Sequence, residues 1–335
     1  MPPVTKIEVI PDSSKTQWVN RAPVGVRPYL QLSRLDRPVG YWLLALPGWI
    51  GLAFAGLSHG LVWTDLLWAA LILIGAIAMR GAGCTYNDIV DQDLDAQVER
   101  TALRPLPAGT VTTKQAWRWT FAQIGVGFLV WLCLPLLAKG IALLALPLVA
   151  AYPFMKRITW FPQVWLGMTF NWAVLVAYAL KTGEISLPVL IFYLGLIFWT
   201  VGYDTIYACQ DMEDDAMVGI KSTALRFGGH VKLGVGVCYV ISAALITFAT
   251  FTTFAHNGGP SIPWKLTDSI YFFPLIIPFF AQLIWQVISL RPTKATNSLA
   301  RFKSNTWAAF LLIGALLFGK HILTALDTIF ATGPF

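Results

Sequence analysis

The sequence predicts an all-α protein that crosses a lipid bilayer several times. Hydrophobic residues make up 56% of the chain, charged residues only 12%, and the mean hydropathy is +0.64. A soluble domain carries about a quarter charged residues, so much of the usual polar coat is missing and lipid must cover the surface. The apolar runs are continuous rather than alternating, which favours transmembrane helices over a β-barrel.

Nine apolar segments approach the length of about 20 residues that a helix needs to cross roughly 30 Å of hydrocarbon. The fourth is the least regular, because Pro147 and Pro153 interrupt it. We expect one transmembrane domain over residues 28–335, preceded by a flexible cytoplasmic tail over residues 1–27. The predicted spans lie near 38–57, 66–86, 116–137, 140–155, 163–180, 187–208, 232–253, 268–289 and 305–326.

The basic residues predict the orientation of these spans. Most Lys and Arg residues would lie on the N-terminal side of the membrane, and the other side would hold only Lys139, Lys181, Lys265 and Lys320. The positive-inside rule then places the N-terminus and its loops on the cytoplasmic or matrix face. The net charge of +7 indicates contact with anionic lipid rather than with nucleic acid. No obligate protein partner is evident from the sequence.

The tail and the cysteines bear on location and redox chemistry. The first 27 residues lack the apolar core of a signal peptide, and the acids among their bases argue against a mitochondrial transit peptide. We therefore expect an endomembrane rather than the mitochondrial inner membrane. The four cysteines lack metal-ligand spacing, and we expect no disulfide.

The acidic residues, of which there are only seventeen Asp and Glu, concentrate in two short runs at the ends of the second and sixth predicted spans. Acids spaced by whole helical turns share one face of a helix, where like charges repel and need a counter-charge. Magnesium supplies it, binding one or two carboxylates together with water and substrate phosphate. The spaced residues are Asn87, Asp91 and Asp95 in the first run and Asp204, Asp211 and Asp215 in the second.

Basic residues follow both runs on the same predicted face. Arg forks bind phosphate oxygens in pairs, and Lys binds them as a point charge. Taken singly, each of these bases also fits an ordinary positive-inside residue. Together with the acids they predict a magnesium–diphosphate site. The candidate diphosphate-binding residues are Arg100, Arg104, Lys156, Arg157 and Lys221.

Four segments resemble the UbiA superfamily of intramembrane prenyltransferases. NDIVDQDLD (87–95) resembles its N-D-x-x-D-x-x-x-D signature, and YDTIYACQDMEDD (203–215) resembles its second acidic motif. LSRLDRPVGYWLLALP (32–47) and YPFMKRITWFPQ (152–163) are similar to the 4-hydroxybenzoate polyprenyltransferase branch. The resemblance covers residues from about 30 to 230, and the last three helices only by hydropathy.

The resemblance implies nine transmembrane helices around a central cavity, with a polar cap on the cytoplasmic or matrix face. It implies Mg²⁺ as cofactor, and a polyprenyl diphosphate and an aromatic small molecule as substrates. Asp88 and Asp214 are secondary metal candidates, whereas Asp93 falls outside the family spacing. The implied magnesium–diphosphate residues are Asn87, Asp91, Asp95, Asp211 and Asp215.

An aromatic prenyl transfer needs a face for the allylic cation, a proton acceptor and a partner for the acceptor's carboxylate. Asp204, deeper in its helix than Asp211, is the expected proton acceptor, with a structural ion pair to an Arg or Lys as the alternative, and Tyr207 heads the aromatic candidates. Arg37, with Arg34 as an alternative, and the intramembrane Asn171 are the acceptor-binding candidates. The further aromatic candidates are Tyr152, Trp172 and Tyr203.

Two biosynthetic pathways use this kind of prenyl transfer, and the sequence leaves both open. The wording YACQD and the short tail favour transfer of a short chain, such as farnesyl, to a polyketide-derived phenolic acid in meroterpenoid biosynthesis. The alternative is the 4-hydroxybenzoate polyprenyltransferase of ubiquinone biosynthesis, and haem, chlorophyll and menaquinone branches resemble the chain less. An ion-coupled transporter is the reading from another class, but transporters hold their acids near the midplane on broken helices.

Overall fold

A computed structural model describes residues 18–97, 99–217, 219–257 and 266–332, and this part of the chain is helical with no strand. Short 3-10 helices cover Trp18–Arg21 and Gly228–His230. The α-helices are α1 (Arg27–Leu32), α2 (Val39–His59), α3 (Thr64–Val90), α4 (Gln92–Asp95), α5 (Glu99–Ala102), α6 (Thr113–Cys133), α7 (Leu136–Leu144), α8 (Leu146–Ile158), α9 (Pro162–Thr182), α10 (Leu187–Ala208), α11 (Met212–Met217), α12 (Thr223–Phe227), α13 (Val231–Asn257), α14 (Leu266–Ser289), α15 (Ala295–Lys303) and α16 (Asn305–Thr332).

Eight helical segments in the described part are long and apolar enough to cross a membrane, so the protein is a multi-pass membrane protein. Five of them are single helices, and three combine short helices with longer neighbours. The eight are Val39–His59, Thr64–Val90, Leu136–Ile158, Pro162–Thr182, Leu187–Ala208, Thr223–Thr253, Phe272–Ser289 and Ala295–Gly319.

The third predicted span, near 116–137, coincides with α6, which has the length of a span but is not among these eight segments. Its first two turns contain Lys114, Gln115 and Arg118, and Gln123 follows in the middle of the helix. These polar residues lower the hydropathy of the segment. The prediction of an all-helical membrane fold is confirmed, with eight rather than nine segments that meet the apolar criterion.

The prolines explain the irregular fourth span. α7 ends at Leu144 and α8 begins at Leu146, so the segment is two helices in succession. Pro147 lies in the first turn of α8, where the missing N–H leaves no hydrogen bond unmade. Pro153 lies inside α8.

The chain forms two compact units. The first comprises the chain up to Trp42 together with Leu71–Cys133. Its core consists of Leu32, Leu106, Val111 and Ala116, with the rings of Tyr29 and Trp119 packed against them. In this unit Val19 of the first 3-10 helix is also buried. Residues 1–17 of the predicted tail lie outside the described residues.

The second unit comprises Leu43–Ala70 and Leu134–Phe335. α10 is its central helix and packs against both α9 and α13. Glycine allows both approaches, because a Cβ on Gly202 would lie 2.3 Å from the Tyr239 ring, and one on Gly167 would lie 3.0 Å from Ile197. Small residues are the usual means by which membrane helices approach closely.

Candidate active site

The first acidic run lies where α3 passes into α4. α3 continues to Val90, so Asn87 and Asp88 belong to its last turn. The backbone N–H of Asp91 donates to the Asn87 carbonyl at 2.9 Å, and that of Asp95 donates to the Asp91 carbonyl at 2.8 Å. The helical i to i+4 register therefore continues through the junction. Asn87, Asp91 and Asp95 lie on one face, as the spacing predicts.

Burial separates the acids of this run. Asp88 and Asp91 are each only 1% exposed and Asp95 is 9% exposed, whereas Asn87 is half-buried. Asp93 is exposed to solvent. Buried carboxylates are costly unless they are paired or bind a metal ion, so the three buried aspartates mark the part of the run with a specific role.

Two arginines neutralise part of this buried charge. Arg34 Nη2 donates to Asp88 Oδ1 at 2.6 Å. Arg104 Nη1 donates to Asp95 Oδ2 at 2.7 Å and lies 3.4 Å from Asp88 Oδ1. The second oxygen of Asp88, Oδ2, is buried and accepts no hydrogen bond within the described part of the chain. We call these four residues the Arg34–Arg104 network.

The backbone of Arg34 is adapted to this role. Its φ is +54°, in the left-handed region that non-glycine residues rarely adopt. The preceding residue, Ser33, holds the turn in place, since its hydroxyl donates to Gln123 Oε1 at 2.9 Å and accepts from Trp119 Nε1 at 2.8 Å. Gly81 makes room for this arrangement, because a Cβ there would lie 1.8 Å from Gln123 Oε1.

The network changes the acidity of its members. Burial raises the pKa of the Asp95 carboxyl, and the neighbouring Arg104 opposes that rise. Burial alone would lower the pKa of the Arg34 guanidinium, but the charge of Asp88 leaves it above its ordinary value. Arg34 therefore stays charged at every physiological pH.

The donor set of the first run fits a hard divalent cation, since it consists of carboxylate and amide oxygens. Among the side chains that the structure describes, no three Asp, Glu, His or Cys groups form a metal-binding cluster by themselves. Magnesium ordinarily takes one or two carboxylates and fills its other positions with water and substrate phosphate. The unpartnered, buried Asp88 Oδ2 is a further oxygen available on the same turn.

Two more arginines, Arg37 and Arg80, belong to the first unit. Arg37 Nε lies 3.4 Å from Asp36 Oδ2, and Asp36 is almost completely buried. Arg80 lies inside α3, seven residues before Asn87, and is half-buried. Gly40 makes room for it, because a Cβ at that position would lie 3.0 Å from Arg80 Nε. A charged residue inside a span is a functional candidate by default.

The second acidic run, in the other unit, is less regular than predicted. α10 ends at Ala208, a turn follows through Asp211, and α11 begins at Met212. Asp204 on α10 and Asp211 therefore do not share one continuous helix. The Asp215 N–H does donate to the Asp211 carbonyl at 2.8 Å, so the spacing of these two acids is helical as predicted. Asp204, Tyr207, Asp211 and Asp215 are all half-buried.

The basic candidates of the second unit come together. The Lys221 N–H donates to the Lys156 carbonyl at 2.9 Å, and Lys221 Nζ donates to the Ile158 carbonyl at 3.2 Å. Arg157 lies between Lys156 and Ile158 in the last turn of α8. Three of the five predicted diphosphate-binding residues thus lie within one short stretch of structure. Of the other two, Arg104 is in the Arg34–Arg104 network, and the side chain of Arg100 lies outside the described residues, as does that of Asp214.

A buried hydroxyl clamp, which the sequence reasoning missed, fixes the segment that carries Lys221. Thr205 of α10 and Thr223 of α12 share a hydrogen bond of 2.5 Å between their hydroxyls, and both are fully buried. The Thr223 N–H donates to Gln163 Oε1 on α9 at 3.1 Å. Ser222 caps α12 by accepting from the Leu225 N–H. In the sequence, the only indication of this clamp is the polar Thr205 within the apolar segment of α10.

The intramembrane candidates have structural partners. Asn171 Nδ2 donates to Thr200 Oγ1 at 2.7 Å and to the Gly167 and Leu196 carbonyls, which joins α9 to α10. Trp172 Nε1 donates to the Ile141 carbonyl of α7 at 2.8 Å. Tyr152 is half-buried in α8.

Comparison with known proteins identifies the family. Residues 44–314 match the UbiA prenyltransferase family. The chain is 35% identical to a mitochondrial 4-hydroxybenzoate polyprenyltransferase of Drosophila pseudoobscura pseudoobscura, over 96% of this chain and 78% of that protein. It is 36% identical to 4-hydroxybenzoate geranyltransferase 1 of Lithospermum erythrorhizon, over 90% of this chain and 94% of that protein.

The fold agrees with this assignment. A UbiA homologue from Archaeoglobus fulgidus, solved bound to GPP and Mg²⁺, superposes with a TM-score of 0.57 at 17% identity, over 88% of this chain and 99% of that chain. At this identity the likeness concerns the fold alone. The family match, by contrast, covers most of the chain, including both acidic runs. The chain belongs to the UbiA prenyltransferase family, and it is an aromatic prenyltransferase.

Proposed function

We propose that the protein transfers a prenyl group from a polyprenyl diphosphate to a ring carbon of a phenolic carboxylic acid, with Mg²⁺ as cofactor. The observation that carries this proposal is the Arg34–Arg104 network, in which two arginines hold Asp88 and Asp95 beside the buried Asp91. The network pre-organises an oxygen-rich surface at the end of a membrane helix, and such a surface suits a metal-bound diphosphate.

Each acidic run contributes candidate metal-binding residues. Magnesium supplies Lewis-acid stabilisation of the charge that develops on the departing diphosphate. Arg104, Lys156, Arg157 and Lys221 would add cationic donors to the diphosphate oxygens, and Arg100 is proposed from the sequence alone. The metal-binding residues are proposed to be Asn87, Asp91, Asp95, Asp211 and Asp215.

The other steps need an aromatic face and a base. Loss of diphosphate leaves an allylic cation, which an aromatic ring stabilises by about 0.5–2 kcal/mol. Tyr207 is our candidate for that face. Attack by the ring carbon of the phenol leaves one proton to remove, and we assign it to Asp204, which lies one helical turn before Tyr207 on α10. A water-poor bundle in the membrane protects the cation from hydrolysis.

A carboxylate on the acceptor needs a cationic partner. Arg37 remains our candidate from the sequence, and Arg80 joins it. Asn171, the other acceptor-binding candidate, would accept a hydrogen bond from the acceptor's hydroxyl through its amide oxygen, because that oxygen cannot pair with a carboxylate. Arg80 lies seven residues before Asn87 on α3, about 10 Å further along the helix axis and on nearly the same face. A guanidinium at that place would bind the carboxylate of an acceptor whose ring lies beyond the diphosphate.

Two donor–acceptor pairs fit this chemistry. The first pair is farnesyl diphosphate with a polyketide-derived phenolic acid, as in meroterpenoid biosynthesis, and the YACQD segment favours it. Transfer of a longer chain to 4-hydroxybenzoate, as in ubiquinone biosynthesis, is equally supported, because relatives carry the name 4-hydroxybenzoate polyprenyltransferase. We propose that the N-terminus faces the cytoplasm or the matrix. An endomembrane suits the first pair, and the mitochondrial inner membrane suits the second, since that relative is named as mitochondrial.

A prenyl-transfer assay on membranes that contain the protein tests the proposal. Geranyl, farnesyl, geranylgeranyl and longer diphosphates would be crossed with 4-hydroxybenzoate and with orsellinate-type acids, with Mg²⁺ or with EDTA. We expect a C-prenylated acid that requires the metal, and the preferred pair then distinguishes the two pathways. Transfer that persists in EDTA, or no transfer with any pair in folded protein, would overturn the proposal. Metal-independent uptake of a solute in proteoliposomes would support a transporter instead.

A further inference from the structure

A pair of buried amides joins four helices of the second unit. Gln286 of α14 and Asn305, the first residue of α16, are both completely buried. Gln286 Nε2 donates to Asn305 Oδ1 at 3.0 Å, and Asn305 Nδ2 donates to Gln286 Oε1 at 3.1 Å. Asn305 Oδ1 also accepts from Trp199 Nε1 of α10 at 2.9 Å. Gln286 Oε1 also accepts from the Tyr239 hydroxyl of α13 at 2.7 Å. We call Gln286 and Asn305 the amide pair.

The oxygens and nitrogens of the amide pair all form hydrogen bonds, although both residues lie in apolar segments. Polar side chains inside a membrane are expensive, and they persist where they pair with one another or serve a function. Interhelical hydrogen bonds of this kind contribute only about 0.6 kcal/mol each on average. Leucine or isoleucine at both places would fill the space without any polar group. Stability alone therefore does not account for the pair.

Asn305 reaches a row of aromatic rings by two routes. Its Oδ1 holds the indole of Trp199, and its Nδ2 donates to the Phe302 carbonyl of α15 at 3.1 Å. Trp199 meets the Tyr203 ring edge-on, with centroids 5.8 Å apart. Phe302 lies 6.0 Å from the Tyr203 ring and 4.6 Å from the Tyr207 ring.

These rings lie directly before the second acidic run. Trp199, Tyr203 and Tyr207 follow one another at intervals of four residues, so they form one stripe on α10. The stripe ends one residue before the end of the helix at Ala208, and Asp211 follows after the turn. Edge-to-face and tilted ring pairs have preferred geometries, so fixing Trp199 and Phe302 also fixes the faces that Tyr203 and Tyr207 present.

We propose that Asn305 is a positioning residue for prenyl transfer. Through Trp199 and Phe302 it sets the orientation of the Tyr203 and Tyr207 rings, and these rings determine where the allylic cation is stabilised and how well water is kept from it. This inference rests on the proposed function, because it assigns Tyr207 to the cation. It adds a role for α14–α16, which the sequence connected to the family by hydropathy alone.

Misplaced rings would change the fate of the cation. When the bond between the allylic carbon and the diphosphate oxygen breaks, the ring carbon of the phenol normally attacks, and the ring loses a proton. Water can attack the same carbon instead and lose a proton to solvent, which yields a prenyl alcohol and diphosphate. The fraction of released diphosphate that ends as prenyl alcohol therefore reports on the placement of the rings, and a change in fold stability alone would not alter it.

Two mild variants test the inference against one matched control. Trp199→Phe removes the indole N–H that Asn305 binds, and Phe302→Leu removes the ring that contacts Tyr203 and Tyr207. Trp165→Phe is the control, because it makes the same chemical change in the same unit at an indole whose Nε1 donates to the Leu148 carbonyl at 2.7 Å and not to Asn305. Diphosphate release, prenylated acid, prenyl alcohol and Tm would be measured for each protein in detergent with Mg²⁺.

We expect Trp199→Phe and Phe302→Leu to raise the prenyl alcohol fraction at least about threefold and to lower kcat about threefold to tenfold, with KM for the diphosphate within about twofold. Trp165→Phe should lower Tm without changing the fraction. The inference is wrong if all three variants leave the fraction unchanged, or if all three raise it equally. A wild-type protein that forms no prenylated acid would overturn the proposed function itself, and this inference with it.

Discussion

Arg34 reaches Asp88 from a left-handed backbone conformation, with 2.6 Å between Nη2 and Oδ1. A non-glycine residue in that region carries about 1 kcal/mol or more of backbone strain. The surrounding structure must compensate for it, and the hydrogen bonds of the neighbouring Ser33 are one identifiable source. The ion pair and the strained turn therefore belong to one arrangement that fixes the first acidic run.

Replacing Arg34 should separate these two contributions. Arg34→Ala loses the ion pair and keeps the strain, and we expect it to lower the stability by about 3 kcal/mol, the lower end of the range for a broken buried pair, because Arg104 remains 3.4 Å from Asp88. Arg34→Gly loses the ion pair but adopts the positive φ freely, so it should be about 1 kcal/mol more stable than Arg34→Ala. Thermal unfolding in detergent measures both. Equal stabilities for the two variants would show that the backbone conformation costs nothing.

The buried and exposed aspartates of the first run should behave differently. Asp91→Asn removes the charge of a carboxylate that is 1% exposed, and we expect Mg²⁺-dependent transfer to fall about 100-fold or more. Asp93→Asn is the matched control: it makes the same chemical change two residues away on an exposed side chain and should stay within about twofold of wild type. The rate is measured as a function of Mg²⁺ concentration. A large loss in both variants, or in neither, would contradict the assignment of Asp91.

The ligand spacing could be predicted from the sequence, but the charge network around it could not. Asn87, Asp91 and Asp95 share a face because a helix repeats every 3.6 residues, and that follows from their numbers alone. The partner of Asp88 lies 54 residues away in the chain. No local pattern distinguishes a base that forms a buried ion pair from one that follows the positive-inside rule. The contact depends on the tertiary arrangement of α1, α3 and the turn between α1 and α2.

The second run departed from prediction for a local reason. Spacing indicated one stripe through Asp204, Asp211 and Asp215, but the backbone N–H groups of Cys209 and Gln210 bond three residues back rather than four. The helix ends there, Asp211 lies in the turn that follows, and Asp215 belongs to α11. Periodicity identifies residues that could share a face of a helix, and it does not report where that helix ends.

Alanine substitutions at Gly81 and Gly83 test how closely the residues around Ser33 are packed. A Cβ on Gly81 would lie 1.8 Å from Gln123 Oε1, so Gly81→Ala must displace a buried amide, and we expect a loss of about 1–3 kcal/mol. Gly83 has open space around the equivalent position. Gly83→Ala should therefore raise stability by up to about 1 kcal/mol through helix propensity. Because Ser33 adjoins Arg34, Gly81→Ala should also lower kcat. A Gly81→Ala protein that is less stable but fully active would show that the packing around Ser33 does not position Arg34 for catalysis.

Arg80 should determine how the enzyme distinguishes a charged acceptor from a neutral one. Arg80→Gln removes a cation that lies inside α3 beside Gly40, and we expect KM for 4-hydroxybenzoate to rise about tenfold, a loss of about 1.4 kcal/mol of binding. KM for the uncharged 4-hydroxybenzamide should stay within about twofold. Arg37→Gln should raise KM for the acid less, because Asp36 already lies 3.4 Å from Arg37 Nε and offsets its charge.

The two acceptors make this comparison decisive, because the acid and the amide have nearly the same size and differ mainly in charge. A loss of affinity for both acceptors would mean that Arg80 supports the fold of α3 and makes no contact with the acceptor's carboxylate. A larger effect of Arg37→Gln on the acid alone would instead assign the carboxylate to Arg37, as the sequence suggested. In either case the diphosphate KM should not move, since both arginines are proposed to act on the acceptor. An equal rise in KM for both substrates would place the affected arginine with the diphosphate and its metal ions.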